Sequence, residues 1–457
     1  MTFRVRVGGN LSANKVPESY PFVPIWITLL QCMFIITWFL QLGGRKEFLA
    51  AIRFELCLGV LLVVVSCFFL PIQHSDQSQK SVTRPLWFFI ACLIWGVIIS
   101  KDLDISIVIF WDRIVKFACM GLFMVAFVQG PKQLKWVIGA LLLAWLKIEQ
   151  EGIVGIITGG QVWQDQGVMR LHGSTGLYGH PNSLAGLALG SLPFIYFLFP
   201  LLPNIGRALL LIQAVAAVIV TIYTGSRTGY IGLAFFASYV GYGIKSKAKM
   251  IALIILAVVI LGPAIPQEYW VRFQTIFTGE DIEGHSTEKR KEIIEDAIAI
   301  FAKHPLGVGI GSFPSVRDAY FGRKQDTHNL YLEVATNLGV HGLIAFLVFA
   351  YAVLRCLSQT SRSASAQILD LNQTALQYSS VHSCESHVKD LQLIKATAQA
   401  AYVYVLVRLV LGLFGHDLYE IYWWLALGLA LSLLNMNVIA QEKTKQILRA
   451  EGRSGDE

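Results

Sequence analysis

Residues 208–244 read ALLLIQAVAAVIVTIYTGSRTGYIGLAFFASYVGYGI, two apolar runs joined by Thr224-Gly225-Ser226-Arg227-Thr228-Gly229. Arg227 is the one charged residue in that stretch. A bilayer crossing takes about 20 predominantly apolar residues, so the stretch reads as a membrane hairpin with an arginine held at its turn. The same alternation continues in both directions. It predicts spans at 22–42, 54–72, 86–100, 114–128, 134–148, 183–202, 208–223, 230–244, 250–265, 329–354, 397–414 and 418–439.

Composition supports this reading. Of the 457 residues 55% are apolar and 15% charged, and the mean hydropathy is +0.57. Soluble domains carry roughly 25% charged residues. A soluble enzyme, a disordered chain and a secreted disulfide scaffold are therefore excluded. The expected fold is all-α: a polytopic membrane protein with about 12 transmembrane helices, in one integral membrane domain over residues 1–457. The net charge of +7 suits basic cytoplasmic loops, and no basic run with interleaved aromatics suggests nucleic acid. The 7 cysteines form no CxxC pair. Cys32, Cys57, Cys67, Cys92 and Cys119 read as small buried hydrophobes, and Cys356 and Cys384 as reduced cytoplasmic thiols. The first apolar run starts too late and lasts too long for a cleaved signal peptide.

Orientation follows from the basic residues. With the N-terminus in the cytoplasm, the even-numbered connections face inward and carry Lys80, Arg84, Lys132, Lys135, Arg207, Lys245, Lys247, Lys249 and Lys395. Arg45, Lys46 and Arg53 disagree. Two outer connections are long, about 149–182 and 266–328, which favours a functional element over a plain connector. The inward stretch 355–396, rich in Ser and Gln from 358 onward, reads as a flexible cytoplasmic loop with room for one helix.

The unusual residues gather at the outer ends. Arg170-Leu-His172-Gly-Ser174 is followed by Gly179-His180-Pro181-Asn182-Ser183. Asn182 or Ser183 is a candidate helix cap; the other reading is a polar rim in which Arg170 and His172 meet a polar ligand. Charge at the depth of Arg227 is costly and usually paired or functional, against the plain reading of a snorkelling arginine. Its guanidinium fork suits phosphate, and the following helix N-terminus, with Ser226, favours an anion.

Residues 287–303 read as an amphipathic helix in the 266–328 loop. At about 100° per residue, Ile293, Ile294, Ala297, Ile300 and Phe301 share one face, and Lys291, Glu292, Glu295, Asp296 and Lys303 cover the other. Arg290 falls on the apolar face, where it needs a carboxylate or a bound phosphate. Then come His304-Pro305-Leu-Gly307-Val-Gly309-Ile-Gly311, a loop that permits close backbone approach, and Asp326-Thr327-His328-Asn329. Asn329 is placed to cap the next helix. His328 reads as a general base with Asp326 as orienting partner, or as a structural interfacial histidine. No zinc spacing occurs, and Asp102-Leu-Asp104 is weak evidence for a metal.

The ordered set GHPNSLA (179–185), GSRTG (225–229), the Arg290 helix, HPLGVGIGSF (304–313), His328-Asn329 and Leu338-Gly339-Val-His341-Gly342 resembles the O-antigen ligase and polymerase superfamily. The resemblance covers residues 170–351 and implies a GT-C-type glycosyltransferase without metal or nucleotide cofactor. Such enzymes move a glycan from undecaprenyl diphosphate on the periplasmic face. Ligases deliver it to lipid A–core, and polymerases to another lipid-linked unit. By motif, Arg227 and Arg290 would hold the diphosphate, and His328 would activate or orient the acceptor hydroxyl. Arg170, His172, His180, Asn182, Ser226, Gly309, Gly311 and Asn329 are expected to line the substrates. Arg272 is a rival for the second arginine role. The other class is a small-anion (bicarbonate) transporter, for which Arg408 is the main candidate; such proteins place charge near the bilayer midplane.

Overall fold

The computed structural model describes residues 19–70, 77–165, 167–243, 266–278, 286–378, 382–415 and 417–454. The chain begins with helices α1 (Ile25–Leu40), α2 (Phe54–Phe69), α3 (Gln77–Ile98), α4 (Leu103–Ile109), α5 (Lys116–Phe127) and α6 (Pro131–Thr158). A hairpin of β1 (Val162–Asp165) and β2 (Val168–Leu171) follows, then α7 (Pro181–Leu198), α8 (Asn204–Tyr223) and α9 (Arg227–Gly243). Next come α10 (Gln267–Thr278), α11 (Ser286–Lys303), α12 (Phe313–Phe321), α13 (Leu330–Tyr378), α14 (His382–Leu411) and α15 (Ile421–Ser454).

The protein is a helical polytopic membrane protein. Among the described residues 6 helices are long and apolar enough to cross a membrane, namely α3, α7, α8, α13, α14 and α15. Helices α1 and α2 are apolar but shorter. The expected span at 250–265 and Lys245, Lys247 and Lys249 lie outside the described residues. Sequence punctuation sets the ends. Pro131 and Pro181 open α6 and α7, where a missing amide costs nothing, and Gly159 closes α6 with φ +70°.

Helices α13, α14 and α15 pack on one another, α7 packs on α14, and α1 packs on α6. The buried Glu149 of α6 accepts from Ser191 Oγ of α7 at 2.9 Å. Membrane burial of a carboxyl requires such a partner.

Three expectations change. The described parts of the stretch 358–395 are helical and not a flexible loop: 358–378 form the distal part of α13 and 382–395 the start of α14. Its polar residues bond across the bundle, with Gln367 Nε2 donating to Asn437 Oδ1 at 3.0 Å and Thr444 Oγ1 to Gln367 Oε1 at 3.0 Å. Cys356 is buried in the same helix, while Cys57 and Cys67 are exposed on the apolar face of α2. Asp102 caps α4 through Ile105 N, and its other oxygen accepts from Ser315 Oγ at 2.6 Å. Asp102 of the Asp102-Leu-Asp104 motif thus has a structural use.

Candidate active site

One group of polar residues forms where the β1–β2 hairpin meets the starts of α7 and α9. The hairpin register sets Arg170 opposite Trp163. Arg170 is 1% exposed, and all three nitrogens of its guanidinium donate. Nε donates to Thr224 O at 2.9 Å, Nη1 to Asp165 Oδ2 at 2.7 Å and Nη2 to Asn182 Oδ1 at 3.1 Å. Asn182 Oδ1 also accepts from Ser226 Oγ at 2.8 Å, and Ser226 Oγ accepts from Gly229 N at 3.0 Å. The two motifs that flank the arginine turn are therefore joined through Arg170. Gly225 is required here: its φ is +59°, and a Cβ would press on Arg170 Cγ at 3.3 Å.

Asn182 does not cap α7. His180 does, its Nδ1 accepting from Asn182 N at 3.1 Å, which releases the Asn182 side chain for Arg170. Arg227, half-buried, is the first residue of α9, as the helix N-terminus reading expects. Arg272 of α10 is buried, and its Nε donates to Gly225 O at 3.4 Å. Its signal in the sequence was its place as a second arginine before α11, but no local pattern ties it to position 225.

Burial lowers the basicity of Arg170; Asp165 opposes this, and the charge of Arg290 adds to it. Arg290, half-buried on α11, is thus an electrostatic neighbour of Arg170. His172 stacks on Trp163 at 3.7 Å between ring centroids, and its Nε2 makes no hydrogen bond to the described residues. Burial pushes its imidazole below the usual range, with Asp165 opposing and Arg170 assisting.

The amphipathic face of α11 is partly as expected. Ile293, Ala297 and Ile300 are buried, but Ile294 is 41% exposed. Asp296 belongs to the inner face, because α12 brings the buried Arg317 against it, Nε to Oδ2 at 2.9 Å. Ala297 and Ile300 pack with Val308, Phe313 and Leu332. Arg290 and Ile300 are ten residues apart, about 15 Å of helix, so α11 links the arginine group to a second group.

That second group surrounds the glycine loop. Helix α13 breaks at Gly339, whose φ is +75°. The interrupted ladder is re-paired by the loop: Val308 N donates to Thr336 O and Gly309 N to Asn337 O, both at 2.9 Å, while Val340 N donates to Pro305 O at 2.9 Å. Broken helices at membrane depth need such substitutes. Gly309 and Gly311 therefore approach protein backbone and side chains closely, Ser100 and Ile109 respectively, and the Gly311 amide donates to Tyr419 Oη at 3.1 Å.

His328 is exposed in a left-handed conformation, φ +47°. Asn329 caps α13 as expected, Oδ1 accepting from Tyr331 N and Leu332 N at 3.0 Å. Its Nδ2 donates to Leu413 O at 3.0 Å, and Leu330 N to Gly412 O at 2.7 Å. The turn between α14 and α15 is thereby stitched beside His328. That turn carries Glu420, unnoticed in the sequence, which pairs with Arg113 at 3.0 Å. Burial pushes its carboxyl up to about 7, against the opposing charge of Arg113. Arg113 lies in the π-helical turn Phe110–Val115, a geometry frequent at functional sites.

Arg408, the transport candidate, stacks on Tyr422 at 3.3 Å and donates to Gly186 O at 2.7 Å. An apolar cleft of about 510 Å³ opens between α1, α2 and α5, with Arg113 and Leu177 among its lining residues.

Residues 212–347 match the family model for O-Antigen ligase, a segment that includes Arg227, Arg272, Arg290, the glycine loop and His328. No curated protein matches the chain. The segment from 212 to 347 is thus similar to the O-antigen ligase family, and the rest of the chain lies outside that match.

Proposed function

We propose that the protein transfers a glycan from undecaprenyl diphosphate to an acceptor hydroxyl at the periplasmic face of the bacterial inner membrane, in the manner of an O-antigen ligase acting on lipid A–core. The observation that carries this reading is the gathering of Arg170, Arg227 and Arg272 around one helix N-terminus, with Arg290 as an electrostatic neighbour of Arg170. Several guanidinium groups supply the charge stabilisation that a departing diphosphate requires.

In the proposed reaction Arg227 and Arg290 contact the diphosphate, while Arg170 fixes the turn that presents Arg227. The acceptor oxygen bonds to the anomeric carbon as the bond from that carbon to the diphosphate breaks. His328 takes the hydroxyl proton. His172, His180, Asn182, Ser226 and Asn329 shape the polar rim, and Gly309 and Gly311 hold the loop beside it. The cleft near Leu177, five residues from Asn182, offers an apolar surface for a lipid chain. Polymerisation of lipid-linked units is the second reading, since it uses the same donor chemistry.

The test is deletion and rescue in the source organism, with surface polysaccharide read by gel. Bare lipid A–core with accumulating lipid-linked polymer means ligase. Single attached units without long chains mean polymerase. An unchanged profile rejects both. Arg227→Ala should lower transfer by about 10²–10³-fold while membrane insertion is retained.

A further inference from the structure

A second lateral groove, of about 680 Å³, lies at the opposite end of the bundle from Arg170. Its walls include Leu192 and Tyr196 of α7, Leu211 of α8 and Phe236 of α9. Helix α7 starts at the arginine group, and Leu192 is eleven residues further on, about 16 Å along the axis. The fourth wall is α14, which presents Gln392, Lys395 and Gln399. Spacings of three and four put these residues in one stripe on the helix surface.

Among the described residues no Asp or Glu lines the groove. Among the described residues, the side chains of Gln392, Lys395 and Gln399 make no hydrogen bond or ion pair. Asp390, the nearest acid on α14, lies about 140° around the helix from Lys395, and its charged neighbours are Lys135 and Lys443. A second cation stands at the rim: Arg207 donates to Pro200 O at 3.0 Å and lies 5.9 Å from the ring centroid of Phe199, and both residues line the groove. Leu211 and Tyr196 are exposed, so the groove opens sideways toward lipid.

Depth completes the argument. Twenty residues span the hydrocarbon, and counting about 20 back from Leu411 reaches Gln392. The polar stripe therefore runs from the interface about 10 Å into the acyl region. Two amides and an ammonium without protein partners are costly at that depth. An anion with ester oxygens below it satisfies all three.

We propose that this groove is a binding site for one anionic phospholipid, its phosphate at Gln392, Lys395 and Arg207, an ester group at Gln399 and an acyl chain along the apolar walls. The site is independent of the glycan-transfer reading. The intact protein is purified in mild detergent, mixed with phosphatidylglycerol or phosphatidylcholine, and examined by native mass spectrometry. Wild type should retain phosphatidylglycerol in preference. Lys395→Gln should lower that retention about fivefold, to the phosphatidylcholine level. Lys395→Arg should keep it, and so should Lys147→Gln at the other end. Melting temperatures in detergent verify that the variants fold, and Gln399→Leu provides a second, charge-neutral loss of retention. Equal retention of the two lipids by wild type, or full phosphatidylglycerol retention by Lys395→Gln, overturns the proposal.

Discussion

The two ends of the candidate site are built by different physics. Around Arg170 the structure is held by side chains: one guanidinium joins a hairpin carboxylate, a side-chain amide in the first turn of α7 and a helix-end carbonyl. Around His328 it is held by main chain: a broken helix, a glycine loop and the α14–α15 turn exchange amide hydrogen bonds. The first arrangement gathers charge, at the cost of burying it. The second places an exposed histidine in a left-handed conformation on a rigid frame. A reaction that must bind a mobile anion and aim one proton acceptor needs both.

Substitutions sharpen this contrast, in decreasing order of expected effect. Arg170→Ala removes three charged hydrogen bonds, to the partly exposed Asp165, to Asn182 and to Thr224; a loss of about 3–5 kcal/mol is expected, read as a lower melting temperature. Arg170→Lys should recover little, since one ammonium cannot reproduce three directed donors. Gly309→Ala attacks the other end. Its Cβ would overlap the Ser100 backbone at φ +108°, and a loss of about 2–4 kcal/mol is expected. Should Gly309→Ala melt like wild type, the main-chain account of that end is wrong.

Smaller effects test the edges. Asn329→Ala removes the α13 cap and should cost about 1 kcal/mol, with a larger proportional fall in transfer because His328 is its neighbour. Glu420 gives a pH signature. Its folded pKa of about 7 lies above the ordinary carboxylate value, so the folded state favours the protonated form. Its contribution to stability is present below pH 4.5 and declines as pH rises toward and through 7. Melting temperatures of wild type measured from pH 5 to 8 should fall more steeply than those of Glu420→Gln; parallel curves would remove Glu420 from the account.

The arginine turn was legible because it is local. An apolar run, a Gly-Ser-Arg turn and another apolar run fix a charged residue at a helix start, whatever else surrounds it. Asn329 was legible for the same reason. Periodicity sets Asp296 on the outer face because it sorts residues by the helix's own sides, while a partner such as Arg317 from another helix makes this acid an inner residue. The polarity of the stretch 358–395 suggests solvent exposure, yet Gln367 in it bonds to Asn437 and Thr444 of another helix. Glu420 carried no signal at all, since its environment comes from Arg113, 307 positions away.

By itself the sequence determined that the protein is a helical membrane protein and that Arg227 and Asn329 stand at helix starts, since hydrophobic run length and turn chemistry act within a few residues. The tertiary structure alone decided that Arg170 and Arg272 join Arg227, that the glycine loop repairs a broken helix, and that Glu420 lies in the turn stitched to His328. Those outcomes depend on which distant groups burial brings together, and the energy of a buried charge or an unpaired amide is set by that company.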